Sequence, residues 1–223
     1  MKHYDHPILI VGGAPIAQDV WATVPQDIDH VVAADGGADR VIAQGRVPDV
    51  VIGDMDSLSA EARQSCGDRL IHIAEQDSTD FEKLLRRVSA PLIIGIGFLG
   101  HRLDHQMAVQ SALVSFCDKR VVLIGDQDIV FVAPPRIQLP LDAGVRVSIY
   151  PMGAVSLRSQ GLQWPTDCIT MAPDGRIGTS NRTTGPVTLQ CDRPKALVIL
   201  PRIQLDRCLP AIAAATPWNV RGE

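Results

Sequence analysis

The sequence predicts an α/β N-terminal domain with a mostly parallel sheet and flanking helices, followed by an all-β C-terminal sandwich. In the first 133 residues, apolar runs alternate with helical stretches, which is the pattern of βαβ units. After the segment FVAPPRIQLP (131–140) the runs are short and are broken by turn residues, as in antiparallel sandwiches. Pro134 and Pro135 lie where the pattern changes, so we predict domains at 1–133 and 137–223.

Six runs rich in Val, Ile and Leu predict strands that are buried on both faces of a parallel sheet. They are PILIVGG (7–13), HVVAADGG (30–37), DVVIGD (49–54), RLIHIAEQD (69–77), PLIIGIG (91–97) and RVVLIGD (120–126). Helices are predicted between several of them, around 14–24, 37–44, 79–88 and 104–116. In the second half the strand candidates are VRVSIYPMG, AVSLRSQGLQW, RIGTSNRTTG, PVTLQCD and KALVILP, and one helix is predicted at 207–215.

Composition excludes several classes of protein. The chain has 223 residues, of which 46% are hydrophobic and 21% charged, and this balance favours a folded core. The net charge of -4, without a basic block, argues against nucleic acid as a partner. The five cysteines form no C-x-x-C pair, which argues against a disulfide framework and a zinc site. The first apolar run is too short for a signal peptide or membrane span, so we expect a cytoplasmic protein without a membrane partner.

Polar residues follow the predicted strands at their carboxyl ends, where open α/β sheets bind ligands. Asp54 and Asp56 follow the third strand. Residues i and i+2 of an extended segment point to the same side, so both carboxylates can reach one Mg²⁺ ion, which prefers oxygen ligands. A Gly-Asp turn capped by Ser57 is the structural alternative. The other polar residues at these ends are Asp35, Gly36, Gly37, Gln76, Asp77, Asp80, Arg102 and Asp104.

Several of these residues also have structural interpretations. Thr79 and Glu82 form a capping box, and an acid such as Asp80 in the first turn is stabilised by the helix dipole. Asp104 can act as an N-cap, whereas Arg102 in a glycine-containing loop is suited to phosphate oxygens. His101 and His105 flank this loop and are more often solvated than metal-bound. Trp164 is open to interpretation as a core residue, and GTSN (178–181) as a hairpin turn.

Two enzyme classes are disfavoured. Gly95, Gly97 and Gly100 spell the dinucleotide-binding fingerprint, but they follow the fifth strand rather than the first. An aspartyl phosphatase also places D-x-D after a strand, yet Leu58 stands where its motif has Thr or Val.

Six segments, taken together, resemble the thiamine pyrophosphokinase (thiamin diphosphokinase) family. They occur in the family's order over residues 30–182: ADGGADR (34–40), PDVVIGDMDSLS (48–59), EQDSTDFEKLL (75–85), LGHRLDH (99–105), GLQW (161–164) and GTSN (178–181). Three positions depart from the family pattern. His101 replaces a loop glycine, Glu75 replaces an aspartate, and Arg182 stands where many relatives have an acid.

The resemblance implies transfer of the pyrophosphoryl group of ATP to the hydroxyl of thiamine, in a homodimer that binds thiamine between its subunits. It implies that Asp54, Asp56 and Asp80 bind Mg²⁺ and act in catalysis with Arg102 and Asp104. The residues implied for the nucleotide are Asp35, Gly36, Gly37, Gln76, Thr79 and Arg102, and those for thiamine are Trp164, Ser180 and Asn181. A metal-dependent phosphatase and a non-catalytic nucleotide- or thiamine-binding regulator remain as alternatives.

Overall fold

A computed structural model describes residues 1–219, so residues 220–223 of the predicted second domain lie outside the described part. The chain divides into two compact units. The first comprises Met1–Ala112 and Val121–Asp126, and the second comprises Leu113–Arg120 and the chain from Gln127 onward. None of the described helices is long and apolar enough to cross a membrane.

The first unit contains a six-stranded parallel sheet, as the six apolar runs predict. Its strands, with a separate pair formed by β1 and β6, are β1 (Lys2–His3), β2 (Ile8–Val11), β3 (His30–Ala34), β4 (Val50–Gly53), β5 (Leu70–His72), β6 (Val88–Ser89), β7 (Ile93–Ile96) and β8 (Val121–Ile124). The strand order in this six-stranded sheet is β8-β7-β2-β3-β4-β5, and the pairs between these strands are all parallel. Every residue of β2, β4, β7 and β8 is buried, as expected for strands covered on both faces.

Helices follow these strands and set the positions of the loops at the carboxyl edge. They are α1 (Gln18–Ala22), α2 (Gly37–Ile42), α3 (Ala60–Cys66), α4 (Asp80–Leu85) and α5 (Leu103–Ser115). The sequence did not predict α3, whose seven residues AEARQSC bury only Ala62 and Cys66. Ser59 starts this helix by accepting a hydrogen bond from the Ala62 N–H. The capping box predicted at Thr79 and Glu82 is present and begins α4 at Asp80.

The second unit is built mainly from antiparallel strands, as predicted. They are β9 (Asp128–Val132), β10 (Arg136–Leu139), β11 (Arg146–Pro151), β12 (Val155–Leu162), β13 (Thr170–Met171), β14 (Gly178–Cys191) and β15 (Ala196–Pro201), followed by α6 (Leu205–Ala214). The order is β13-β12-β14-β11-β15-β9, and β10 also pairs with β14. The runs RIGTSNRTTG and PVTLQCD, predicted as two segments, form the single strand β14.

A bulge in β12 shapes the loop that follows it. The register between β12 and β14 shifts between Gln160 and Leu162, and Gly161 adopts a left-handed φ of 80°. A Cβ at Gly161 would collide with the carbonyl oxygen of Pro186, so only glycine allows the strands to approach here. The chain then leaves β12 toward Trp164.

Candidate active site

Three carboxylates meet at the carboxyl edge of the parallel sheet. Asp35 follows β3, and Asp54 and Asp56 follow β4, the neighbouring strand. One carboxylate oxygen from each lies within 4.8 Å of the other two. The shared edge predicted from the order of strands therefore does bring these acids together. This group contains Asp35, which the sequence suggested for nucleotide binding.

The loop that carries Asp54 and Asp56 is held by a buried methionine. The expected extended geometry is wrong, because Met55 has a left-handed φ of 65°. Its side chain is only 5% exposed, and it packs into a core cluster with Ala33, Ala38, Val51, Leu58, Ala62 and Cys66. The turn alternative is also realised in part, since the Ser57 hydroxyl donates to Asp56 Oδ1 at 2.9 Å. The segment is thus a fixed turn that presents two carboxylates.

Asp35 is buried beside this turn and is incompletely hydrogen-bonded. Its Oδ2 accepts the Ser57 N–H at 3.1 Å, whereas its buried Oδ1 has no hydrogen-bond partner. Burial raises the pKa of Asp35 to about 6, the Ser57 N–H opposes this shift, and the negative charges of Asp80 and Asp56 add to it. A Cβ at Gly53 would lie 2.8 Å from the Asp35 Cβ, so glycine makes room for this acid.

The donor set fits a hard divalent cation. A buried oxygen without a partner costs about 1–3 kcal/mol, and a bound cation would satisfy the Asp35 Oδ1. Three clustered carboxylates repel one another unless a positive charge compensates them. Carboxylate oxygens are the ligands preferred by Mg²⁺, so the residues present suit this ion.

Asp80 lies next to the three acids but is paired with a lysine. The Lys83 Nζ is 3.3 Å from Asp80 Oδ1 and 3.8 Å from Asp54 Oδ2, and the lysine side chain is 2% exposed. Burial raises the pKa of Asp80, and the Lys83 charge opposes the shift. Lys83 was not among the site residues predicted from the sequence. Its signal was the i, i+3 spacing from Asp80 in a helix whose start is fixed by Thr79.

The loop before α4 completes the surroundings of Asp54. The Gln76 amide donates to Asp54 Oδ2 at 2.8 Å, and this bond is the main reason why the pKa of Asp54 is lowered. Glu75 accepts the N–H groups of Asp77 and Ser78 at 2.8 and 3.0 Å, so this departure from the family pattern still supports the loop. Thr79 is engaged in its cap, with its hydroxyl 3.0 Å from Glu82 Oε2.

Gly36 and Gly37, also predicted for the nucleotide, lie at the start of α2 directly after Asp35. A Cβ on Gly37 would collide with the carbonyl oxygen of Val11 in β2. The glycine therefore allows the backbone after β3 to approach the end of β2 closely.

Arg102 and Asp104 form an exposed, forked ion pair. The guanidinium Nη2 is 2.6 Å from Asp104 Oδ2, and its Nε is 3.2 Å from Oδ1. The Arg102 hydrogen bond is the main cause that lowers the pKa of Asp104 to about 2. His101, which replaces the family's glycine, adopts a left-handed φ of 64° and so preserves a conformation that glycine favours.

In the second unit, Trp164 is exposed and Asn181 is buried. Trp164 is 56% exposed, so the interpretation as a core tryptophan is wrong. Ser180 and Asn181 lie within β14, so the GTSN segment is not a hairpin turn. Ser180 has a left-handed φ of 60° and donates its N–H to Ser148 Oγ at 3.0 Å. Asn181 is 7% exposed, and its side chain bonds to the main chain of Trp164.

Comparisons with known protein families match both units. The family profile described as "Thiamin pyrophosphokinase, catalytic domain" matches residues 21–124. A second profile, "Thiamin pyrophosphokinase, vitamin B1 binding domain", matches residues 136–196.

Curated relatives and solved structures that are named thiamine or thiamin pyrophosphokinase are similar to this chain. Thiamine pyrophosphokinase 1 of Oryza sativa subsp. japonica is 30% identical over 186 residues, which cover 67% of this chain and 70% of the relative. The solved thiamin pyrophosphokinase of Candida albicans superposes with a TM-score of 0.76 at 17% identity, covering 88% of this chain and 89% of that one. The Geobacillus thermodenitrificans structure gives a TM-score of 0.71 at 25% identity, covering 87% and 96%.

Proposed function

Since the chain belongs to the thiamine pyrophosphokinase family, we propose that it transfers the pyrophosphoryl group of ATP to the hydroxyl of thiamine. The products are thiamine diphosphate and AMP. One observation carries this proposal beyond family membership: three carboxylates converge at the sheet edge where α/β folds bind ligands, and one buried oxygen of Asp35 lacks a partner. Such a site is suited to a divalent cation and the polyphosphate that it accompanies.

Each domain has its own task in this proposal. Residues 1–133 form the ATP-binding α/β domain, and residues 137–223 form the thiamine-binding β-sandwich. The protein works as a cytoplasmic homodimer with thiamine bound between subunits. The family profiles for the catalytic and vitamin B1 binding domains, which match separate parts of the chain, support this division.

Asp54, Asp56 and Asp80 are proposed as carboxylate ligands of Mg²⁺. Asp35 joins them, because it shares the cluster with Asp54 and Asp56. When bound, Mg²⁺ supplies positive charge that offsets the polyphosphate and aligns it for in-line transfer. Lys83 keeps Asp80 and Asp54 in place through contacts of 3.3 and 3.8 Å.

Arg102 is proposed to bind the oxygens of the transferred group. In this structure the guanidinium donates two hydrogen bonds to the Asp104 carboxylate. Phosphate oxygens would accept the same pair of bonds in the same bidentate geometry. Asp104 orients the guanidinium and, with a pKa of about 2, is a weak proton acceptor while that pair is formed. Gln76, Thr79, Gly36 and Gly37 are proposed to line the nucleotide, as the resemblance to the family implies.

Thiamine is proposed to bind at Trp164 and Ser180. Asn181, the third residue that the resemblance implies for this site, follows Ser180 in β14 and bonds to the main chain of Trp164. Thiamine is a cationic aromatic molecule, and an indole face attracts such a group by roughly 0.5–2 kcal/mol. The Trp164 ring is available for this contact because its side chain is exposed.

The test is an AMP-release assay with ATP, Mg²⁺ and thiamine, and the control omits thiamine. We expect AMP and thiamine diphosphate to form in equal amounts and only when thiamine is present. Release of inorganic phosphate without AMP would indicate the phosphatase alternative. Saturable binding of ATP or thiamine without AMP would indicate the regulator alternative.

A further inference from the structure

We propose that Asn181 is a positioning residue. Its side-chain amide forms a clamp, a pair of hydrogen bonds to the N–H and carbonyl of Trp164, and this clamp fixes the position from which the indole stacks on thiamine. This inference rests on the proposed function for its ligand. It assigns Asn181 a role through Trp164 instead of direct contact with the substrate.

The amide of Asn181 is almost fully used by the neighbouring backbone. Its Oδ1 accepts the Trp164 N–H at 3.2 Å and the Arg182 N–H at 2.8 Å. Its Nδ2 donates to the Trp164 carbonyl at 2.7 Å. A primary amide has two donors and two acceptor lone pairs, so three of these four are satisfied by main-chain groups. Since Asn181 is 7% exposed, little of its polar surface remains for a ligand.

These bonds hold both the N–H and the carbonyl oxygen of Trp164, which belong to the two peptide units that flank its Cα. A third tie comes from the preceding residue, because the Gln163 N–H donates to the Arg182 carbonyl at 2.8 Å. Pro165 follows and has a fixed φ. The backbone at Trp164 is therefore restrained although its side chain is 56% exposed.

A restrained exposed tryptophan differs from an ordinary surface loop residue. Loops lose backbone entropy when a ligand orders them, and a fixed backbone avoids that loss. An indole whose main chain is fixed can stack on a flat cationic ring without first ordering the loop. The clamp thus affects thiamine binding more than it affects the transfer step.

The test compares Asn181→Asp with Asp192→Ala. Asn181→Asp has the same shape but replaces the donor to the Trp164 carbonyl by an acceptor. Asp192→Ala removes another side-chain bond to the main chain of β12, the one from the Ser156 N–H, and leaves the clamp and Ser180 intact. We expect Asn181→Asp to raise the KM for thiamine about 10-fold, with kcat and the KM for ATP within about 2-fold. Asp192→Ala should leave the KM for thiamine unchanged.

Two readouts do not need activity. The fluorescence of Trp164, obtained as the difference from Trp164→Phe, should be quenched more easily by acrylamide in Asn181→Asp. Lowering the pH should reverse this change, because a protonated aspartate again donates a hydrogen bond. In the wild-type protein, the Trp164 amide should exchange at least about 100-fold more slowly than an unprotected amide. This exchange measurement remains decisive if the variant does not fold.

The outcomes separate the two proposals. If the wild-type protein releases no thiamine-dependent AMP, the proposed function fails, while exchange and quenching still test the clamp. If the enzyme is active but Asn181→Asp leaves both the KM for thiamine and the quenching unchanged, the clamp is overturned. A rapidly exchanging Trp164 amide in the wild-type protein overturns it as well.

Discussion

Lys83 is the buried positive charge of the proposed metal site, and replacing it by methionine tests how the site is balanced. The side chain is 2% exposed, and its ammonium contacts Asp80 at 3.3 Å and Asp54 at 3.8 Å. Methionine fills a similar volume without the charge. The substitution therefore leaves the acids of the site with no lysine to oppose their mutual repulsion.

The size of the effect follows from these distances. Two unit charges about 4 Å apart attract by about 4 kcal/mol at an effective dielectric constant of 20. Desolvation of the ammonium costs several kcal/mol and offsets part of this attraction. Solvent screens the attraction further, because Asp80 is 37% exposed. We expect Lys83→Met to lower the free energy of unfolding by about 2–3 kcal/mol without divalent cations. Mg²⁺ should recover about half of this loss, because it supplies the missing positive charge and 10-fold tighter binding adds about 1.4 kcal/mol of stability at saturation.

The assay is urea unfolding of the wild-type and Lys83→Met proteins, each in EDTA and in saturating Mg²⁺. Lys195→Met, at an exposed position in the second unit, controls for the loss of one lysine charge. Calorimetric titration with Mg²⁺ should also show about 10-fold tighter binding to Lys83→Met, since a repelling charge is gone. Equal urea midpoints in EDTA, or equal stabilisation of both proteins by Mg²⁺, would refute this account of Lys83.

Three further predictions address the acids, the subunits and the cysteines. Asp54→Asn should lower AMP formation at least about 100-fold, because the proposed metal site loses a charged ligand. Its melting temperature should change by only a few degrees. Near-full activity of this variant with Mg²⁺ would disprove the metal assignment. Refolding an equal mixture of Asp54→Asn and Trp164→Ala should restore about a quarter of wild-type activity if each site draws on both subunits; no recovery would place each site in one subunit. Burial raises the pKa of the Cys191 thiol to about 12. An unfolded thiol ionises near pH 9 while the folded one stays protonated, so the free energy of unfolding should fall from about pH 9 to pH 12. Cys191→Ala should flatten this decline in denaturant titrations, whereas Cys168→Ala, at an exposed position, should not.

The parallel sheet could be predicted because its strands carry their own signal. Continuous Val, Ile and Leu runs occur where a strand is buried on both faces, and each of the six runs contains a strand. The helix α3 could not be predicted, since it buries only two small residues and has no apolar stripe. The single strand β14 was divided in the prediction because Gly185 and Pro186 resemble a turn.

The candidate site was predictable in its residue types but not in its contacts. The strand order alone places Asp35 next to Asp54. The unpartnered oxygen of Asp35 and the burial of Lys83 depend on side-chain packing, which a periodic pattern does not encode. The same holds for Asn181, whose role is visible only in its bonds to Trp164.

Positive φ angles at non-glycine residues coincide with the proposed sites, and residue types alone do not reveal these angles. Among the described residues, the non-glycine residues with positive φ are Asp35, Met55, His101, Cys168 and Ser180. All but Cys168 belong to, or lie directly beside, the residues proposed for metal, phosphate or thiamine. A left-handed non-glycine residue costs roughly 1–2 kcal/mol, so each must be held by its surroundings. Met55 is held by its buried side chain and Ser180 by its bond to Ser148. Where the fold itself holds such conformations, it sets the geometry of the site, which is the condition for aligning two substrates without reordering the loops around them.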